Sequence, residues 1–135
     1  MKYIGIDYGK ARIGVAKSDP LGVLATPIGT IHEKNFKVQL DKLCEIIEKE
    51  KADKLIFGLP KNMDGTEGES AELVREFSEK ASTRTGVPYE LVDERLSTVS
   101  AHNILNDVNM SGSKKRRDVV DTVSAVIILQ SYLDK

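Results

Sequence analysis

The chain begins with two short apolar segments, Tyr3–Asp7 and Arg12–Ala16, joined by a short link that contains Gly9. Strands with so short a link pair as an antiparallel hairpin, because parallel strands need a crossover of about a dozen or more residues. A third segment, Ala25–Ile31, has the alternating, β-branched composition of a strand. The sequence therefore predicts that the fold opens with three antiparallel strands.

Helical and strand patterns alternate along the next part of the chain. Asn35–Lys51 has apolar residues at helical spacing, which predicts an amphipathic helix. Lys54–Leu59 is an uninterrupted apolar segment, as expected for a strand that is buried on both faces. After a glycine-containing loop, the capping-box spacing of Thr66 and Glu69 predicts a second helix, which continues to about Thr83.

The last part of the chain repeats this alternation. Tyr89–Val92 is predicted to be the fifth strand, and Ser97 can cap a helix that ends near Asn106. Asp107–Arg117 is interpreted as a mobile loop. Asp118–Leu133 is apolar around most of its circumference, which predicts a buried helix. The order of elements predicts an α/β fold with a five-stranded mixed sheet, three antiparallel strands followed by two parallel ones, flanked by helices.

The composition excludes several classes of protein. A chain of 135 residues has the size of one ordinary domain, so residues 1–135 are expected to form a single domain. No apolar run reaches the length of about 18 residues that a membrane helix needs, and no signal-peptide pattern is present, so we expect a cytoplasmic protein. Cys44 is the only cysteine, which excludes an intramolecular disulfide and a zinc site built on several thiolates. Because the net charge is −1, contacts with nucleic acid must come from local basic patches.

Acidic residues in three separate elements indicate a functional site. Asp7 ends the first strand, and open α/β sheets place their sites at the carboxyl ends of parallel strands. Asp121 lies inside the most apolar helix, where a carboxylate needs a cation or hydrogen bonds to compensate for its burial. Asp93 and Glu94 end the fifth strand, and strand alternation brings one of them to the sheet edge that carries Asp7; we favour Glu94.

The acidic residues also have structural interpretations. Asp7 could do no more than cap the turn that follows it. Asp121 could form a structural ion pair with Arg12 or Arg95. Asp118, one helical turn earlier, either adds a ligand or only favours the helix N-terminus. A metal ion shared by Asp7 and Asp121 explains both residues together.

The three carboxylates predict a metal-dependent hydrolysis. A hard, oxygen-rich site suits Mg²⁺ or Mn²⁺, and two such ions about 4 Å apart could activate water and stabilise the leaving oxygen of a phosphodiester. The predicted catalytic and metal-binding residues are therefore Asp7, Glu94 and Asp121. This chemistry requires no histidine or cysteine, and three such residues are assigned to structure: His32, His102 and Cys44.

Basic and polar residues indicate contacts with a nucleic-acid backbone. The loop Pro60–Gly68 offers a lysine, glycines and backbone amides ahead of a helix, features that favour phosphate, although a plain connection explains it equally well. Lys114–Arg117 is a run of four cations at the start of the last helix, where positive charge opposes the helix dipole. A solvated surface is the alternative for this run. The residues predicted to contact nucleic acid are Arg12, Lys61, Asn62, Arg95, Lys114, Lys115, Arg116 and Arg117.

Four motifs occur in the order and spacing of a known family. They are DYGKARIGVA (Asp7–Ala16), GLPKNMDGTEG (Gly58–Gly68), VDERLST (Val92–Thr98) and DTVSA (Asp121–Ala125). Together they resemble the YqgF family, also called RuvX, which is proposed to contain Holliday junction resolvases and nucleases that mature the precursor of the small-subunit ribosomal RNA. The resemblance covers essentially the whole chain.

The resemblance implies a ribonuclease H-like fold, acidic site residues at Asp7, Glu94 and Asp121, and a divalent cation, Mg²⁺ or Mn²⁺, as cofactor. It implies branched DNA or precursor ribosomal RNA as the partner. A homodimer is possible, because resolvases act on junctions with two-fold symmetry. Related resolvases place a glutamate directly after the fourth strand, where this chain has Leu59 and Pro60.

Two other functions compete with a nuclease. The first is a noncatalytic RNA-binding factor in ribosome assembly that keeps the same fold. The second is a fragment of an actin-like ATPase or sugar kinase, because their phosphate loops also begin with a strand, an aspartate and a glycine turn. Length argues against the second, since those proteins enclose a nucleotide between two such domains and 135 residues supply one.

Overall fold

A computed structural model of the protein describes residues 1–93 and 113–135, with side chains in the second range from residue 120 onwards. Its elements occur in the predicted order. The strands and helices are β1 (Tyr3–Asp7), β2 (Arg12–Ser18), β3 (Ala25–His32), α1 (Phe36–Glu50), β4 (Lys54–Leu59), α2 (Glu69–Thr85), β5 (Tyr89–Asp93) and α3 (Ser113–Leu133).

The five strands form one mixed sheet in the order β3-β2-β1-β4-β5. Strands β1, β2 and β3 pair in antiparallel fashion, as the short link after β1 requires. Strand β4 pairs in parallel with β1, and β5 pairs in parallel with β4. The predicted sheet, with three antiparallel strands followed by two parallel ones, is therefore confirmed.

Strand alternation divides the apolar residues between two cores, one on each face of the sheet. On one face, Ile6 of β1 belongs to a core with Leu43 of α1 and Phe77 of α2. On the opposite face, Ile56 of β4 belongs to a core with Leu129 of α3. Because successive residues of a strand point to opposite faces, the odd-numbered residues of β1 lie on the face that α3 covers.

Helix α3 approaches the sheet closely because glycines face it. A Cβ atom on Gly14 of β2 would lie 1.9 Å from the backbone oxygen of Asp121. A Cβ atom on Gly5 of β1 would lie 2.7 Å from the Cβ of Leu129. Both distances are far inside van der Waals contact, so a side chain at Gly14 is incompatible with this position of the helix.

Hydrogen bonds at two levels fix the rotation of α3 about its axis. The hydroxyls of Thr30 on β3 and Thr122 lie 2.8 Å apart. Nearer the C-terminus, the side chain of Gln130 accepts from the backbone N–H of Ala25 at 2.8 Å and donates to the backbone oxygen of Val23 at 3.0 Å. These contacts keep Asp121 directed towards β2 and β1.

The start of α2 corrects one prediction. The helix begins at Glu69 with Gly68 as its N-cap, and no side-chain capping bond is formed, so the predicted capping box of Thr66 and Glu69 is wrong. The reason is local competition, because the Thr66 hydroxyl donates to the carboxylate of Asp64 inside the preceding loop.

The start of α3 corrects a second prediction. The helix begins at Ser113, so residues 113–117, predicted to belong to a loop, are helical. Lysine and arginine are good helix formers, and no proline or glycine interrupts this segment. The predicted helix from Ser97 to Asn106 and the rest of the predicted loop lie outside the described residues.

Of the residues assigned to structure, Cys44 lies away from the sheet edge that carries Asp7, whereas His32 is the register partner of Arg12 at that edge. Cys44 is buried in the core beneath α1, and His32 is exposed at the end of the edge strand β3, whereas His102 is outside the described residues. Across residues 1–93 and 113–135, no helix is both long enough and apolar enough to span a membrane.

Candidate active site

Asp7 occupies the carboxyl end of β1, next to the ends of the two strands that run parallel to it. Strand β4 ends at Leu59 and β5 ends at Asp93, and these two residues are register partners. Asp7 itself pairs with Gly14 of β2 and is half-buried. Because it is an odd-numbered residue of β1, Asp7 belongs to the face that α3 covers. The carboxylate is therefore placed at the edge where α/β sheets hold their sites.

Gly14 brings Asp121 next to Asp7. The backbone of Asp121 packs directly on Gly14, as the 1.9 Å clearance for a Cβ atom shows. Gly14 is in turn the register partner of Asp7, and directly opposed residues of antiparallel strands have Cα atoms about 5 Å apart. Two aspartates that are far apart in the chain thus occupy neighbouring positions on one face of the sheet.

Arg12 is a near neighbour of this pair. Its Nε donates a hydrogen bond to Oδ2 of Asp121 at 2.9 Å, and the two side chains are 35% and 20% exposed. This is one of the two ion pairs that the sequence allowed as a structural interpretation of Asp121. The predicted need of Asp121 for a compensating partner is therefore met by a cation that was also predicted to contact nucleic acid.

The register of β5 separates Asp93 from the two aspartates. Asp93 alternates along β5 in step with Tyr89 and Leu91, four and two residues before it, which pack against the core beneath α1 and α2. It therefore belongs to the face opposite to α3. Glu94 and Arg95, which follow it directly, lie outside the described residues. Within the described part of the chain, no group of three or more histidine, cysteine, aspartate or glutamate side chains is arranged to hold a metal ion.

The buried side chain of Gln39 holds the turn that follows Asp7. Its Nε2 donates to the backbone oxygens of Gly9, Lys10 and Glu33 at 3.2, 3.0 and 2.7 Å. Its Oε1 accepts from the hydroxyl of Tyr8 at 3.0 Å. Burial, together with the negative charge of Glu76, raises the pKa of Tyr8, so this hydroxyl stays a proton donor. Gln39 therefore fixes the backbone that carries Asp7.

Gln39 was not predicted from the sequence, although the sequence contains a signal for it. The residue lies between Phe36 and Leu43 at helical spacing, so it interrupts the apolar stripe of α1 with an amide. A polar residue on an otherwise apolar helix face is expected to satisfy buried backbone groups. The pattern does not reveal which groups Gln39 binds, because the turn at Gly9 is distant in the chain.

Replacing Gln39 by leucine is expected to lower the free energy of unfolding by about 2–4 kcal/mol, because several buried polar groups would lose their partner at once. Urea denaturation of the two proteins measures this difference. Glu45→Leu, on the exposed side of the same helix, is the matched control and is expected to change stability by less than about 0.5 kcal/mol. A stability of Gln39→Leu equal to that of the control would contradict this role.

The loop after β4 is an ordered, exposed turn. The backbone N–H of Asn62 donates to the oxygen of Thr66 at 2.8 Å, and that of Gly65 donates to the oxygen of Asn62 at 2.8 Å. Oδ1 of Asp64 accepts from the backbone N–H of Thr66 at 3.0 Å. At its tip, Met63 is 92% exposed. The loop thus presents a defined surface to solvent.

The loop also lies near the turn that follows Asp7. Lys10 of that turn is 3.7 Å from the carboxylate of Glu69, the first residue of α2. Lys61 and Asn62, predicted to contact nucleic acid, therefore lie on the same side of the molecule as Asp7. Lys114–Arg117 lie in the first turns of α3. The first turn of this helix contains no acidic residue. The described side chains of α3 begin at residue 120.

Comparison with known proteins identifies relatives over the full length of the chain. The sequence profile of RuvX, described as "Holliday junction resolvase", matches residues 1–135. A protein of Clostridium novyi (strain NT) named "Putative pre-16S rRNA nuclease" is 44% identical over 99% of this chain and 98% of its own length.

Solved structures of resolvases share the fold. Thermus thermophilus RuvC in complex with a Holliday junction substrate superimposes with a TM-score of 0.64 at 9% identity, covering 100% of this chain and 97% of that one. The fowlpox virus Holliday junction resolvase gives a TM-score of 0.61 at 11% identity, covering 99% of each chain. At this level of identity the likeness shows the ribonuclease H-like fold.

Proposed function

Because the chain belongs to the RuvX family of Holliday junction resolvases and nucleases, we propose that it is a metal-dependent endonuclease acting on structured nucleic acid. The substrate is Holliday junction DNA or the precursor of the small-subunit ribosomal RNA, the two that the names of its relatives indicate. The observation that carries the proposal is the placement of Asp7 and Asp121 at neighbouring positions of the sheet edge, through Gly14. Both substrates are intracellular, so we place the protein in the cytoplasm.

The residues at this edge suit a divalent cation. Asp7 and Asp121 are half-buried carboxylates on one face, and carboxylate oxygens are the ligands that Mg²⁺ and Mn²⁺ prefer. The third ligand that we assign is Glu94, because strand alternation assigns its neighbour Asp93 to the opposite face. A bound Mg²⁺ or Mn²⁺ would supply a Lewis acid for water and for the leaving oxygen. Gln39 and Gly14 keep the two aspartates at the edge.

Nucleic-acid contacts in this proposal come from positions around the same edge. Arg12 lies beside Asp121, and Lys61 and Asn62 lie in the loop after β4. Arg95 and Lys114–Arg117 complete the set. Because these groups would neutralise phosphates, we expect binding to weaken as the salt concentration rises. On a junction with two-fold symmetry, a homodimer would place one such edge at each of two strands.

The Arg12–Asp121 ion pair favours a second candidate function. If this pair is only structural, Arg12 compensates the charge of Asp121, and Asp121 would not serve as a metal ligand. The protein would then be a noncatalytic RNA-binding factor in ribosome assembly. Binding of RNA without cleavage distinguishes this candidate from the nuclease.

We expect the wild-type protein to cleave a four-way DNA junction or a precursor of the small-subunit ribosomal RNA when Mn²⁺ or Mg²⁺ is present. Chelation of the ions by EDTA is expected to reduce cleavage to background, because the proposed reaction depends on the ion to activate water. Gel electrophoresis of end-labelled substrates measures the products. Binding of either substrate without any cleavage would instead support the assembly factor.

A further inference from the structure

We propose that Arg12 is a tethered substitute for the metal ion: it neutralises Asp121 while the site is empty, and a binding ion displaces it. This inference rests on the proposed function, since it assigns a second role to a residue of the same site. It also reconciles the two interpretations of Asp121, because the ion pair and the metal site become alternative states of one carboxylate.

The backbone on both sides of the pair belongs to regular secondary structure, a strand at Arg12 and a helix at Asp121, so we expect the exchange to involve the arginine side chain. Arg12 begins β2, an interior strand that pairs with β1 and β3. Arg12 and Gly14 are two residues apart in the strand, so both lie on the face that α3 covers. Gly14 lets the backbone of Asp121 pack directly on the strand, which brings the Asp121 carboxylate within reach of the Arg12 guanidinium on the same face. Displacement therefore requires rotation about side-chain bonds and no change in the sheet.

The geometry of the contact is that of an exchangeable pair. Among the described side chains, Arg12 and Asp121 share one hydrogen bond, which the Nε of Arg12 donates. Arg75, in contrast, binds Glu67 through two parallel bonds of 2.8 Å each. Two parallel bonds are the strong form of an arginine–carboxylate pair. The contact of Arg12 lacks this second bond, so a divalent ion has less interaction to replace.

Electrostatics explains why a cation is needed before the ion arrives. Asp7 and Asp121 are neighbouring half-buried carboxylates, and like charges at short range destabilise one another. The guanidinium of Arg12 compensates one of these charges through its ion pair with Asp121. Once a divalent ion takes over this compensation, the guanidinium is repelled by the ion. The displaced Arg12 then lies at the edge where a phosphate of the nucleic acid would bind it.

Melting temperatures of the full-length protein with and without Mn²⁺ test the displacement, with Mn²⁺ alone as the probe and no nucleic acid present. Without Mn²⁺, Arg12→Met is expected to melt about 3 °C below wild type because Asp121 loses its ion pair with Arg12. At saturating Mn²⁺ this difference is expected to vanish, since the pair is absent from the ion-bound state of the wild type. Arg12→Lys, which keeps the charge, is expected to give an intermediate difference.

Calorimetric titration with Mn²⁺ provides the second readout. Removing a competitor for Asp121 is expected to tighten the binding of Mn²⁺ to Arg12→Met by about 5- to 20-fold. The matched control is Arg84→Met, which breaks an arginine–aspartate pair with Asp41 between α1 and α2, on the other face of the sheet. The control is expected to bind Mn²⁺ with the affinity of the wild type.

Two results would overturn the displacement. An equal or weaker affinity of Arg12→Met for Mn²⁺ would show that Arg12 does not compete with the ion. A stability difference that persists at saturating Mn²⁺ would show that the pair survives ion binding. In either case Mn²⁺ still binds, so the metal site of the proposed nuclease function would stand without the displacement. If Mn²⁺ bound neither the wild type nor any variant, the metal site of the proposed function would fail together with this inference.

Discussion

Asp7→Asn is expected to lower the rate of cleavage with Mn²⁺ by about a thousandfold or more, because a charged ligand at the edge of the sheet becomes a neutral amide. The two side chains have the same shape, so the turn held by Gln39 is expected to remain in place. We therefore expect binding of the nucleic acid and the free energy of unfolding to stay close to those of the wild type. Single-turnover cleavage of the preferred substrate, with the melting temperature measured in parallel, separates these effects.

Asp93→Asn is the matched control for this substitution. Asp93 ends a parallel strand at the same edge of the sheet, but the register of β5 assigns it to the opposite face. Its replacement is expected to change the rate by less than about threefold, well below the effect of a lost metal ligand. A rate that is unchanged in Asp7→Asn would defeat the assignment of the site. A large loss in Asp93→Asn would place the third ligand at Asp93 in preference to Glu94.

Local patterns were sufficient to predict the strands and helices that the described residues form. The bounds of β1 and β4 agree with the prediction, and α1 is flanked by the predicted end residues, with Asn35 as N-cap and Lys51 as C-cap. Periodicity succeeds here because each segment buries one continuous apolar face. The errors at Thr66 and Ser113 occur at helix starts, where side chains compete for the backbone and several residues are equally acceptable.

The site was predictable as single residues but not as an arrangement. Asp7 and Asp121 stand out because each places a carboxylate where an apolar or turn residue is expected. Their proximity depends on Gly14, and a glycine in a strand does not reveal which helix will pack on it. The contact between Arg12 and Asp121 was left as one of two alternatives, since long-range partners follow from the packing of α3 and not from spacing.

Membership of the RuvX family narrows the functions that the sequence left open to those of a nuclease family. The family profile matches residues 1–135, which supports a RuvX protein over the interpretation as an actin-like ATPase or sugar kinase. The relatives are named as nucleases of precursor ribosomal RNA, while the shared fold is that of junction resolvases. The choice between DNA and RNA depends on how a phosphate backbone is presented to the edge, and no base-reading motif in this chain determines it.

Gly14→Ala is expected to lower the free energy of unfolding by about 3 kcal/mol or more, because the added methyl group would overlap a backbone atom. The Cβ atom would lie 1.9 Å from the carbonyl oxygen of Asp121. A backbone oxygen in the middle of a helix cannot rotate away, so α3 as a whole must shift from β2. Cleavage is expected to fall with stability, since the shift separates Asp121 from Asp7. Urea denaturation and the cleavage assay, both carried out well below the melting temperature, measure the two effects.

Gly68→Ala provides the matched control for this loss of stability. The nearest atom to a Cβ at Gly68 is Nδ2 of Asn62 at 3.9 Å, and the backbone there has a φ of −112°, which alanine adopts readily. The same chemical change is therefore expected to alter stability by less than about 1 kcal/mol. If Gly14→Ala were as stable as this control, α3 would not be seated on β2 as described. The neighbouring positions of Asp7 and Asp121, on which the metal site and the displacement of Arg12 both depend, would then lose their structural basis.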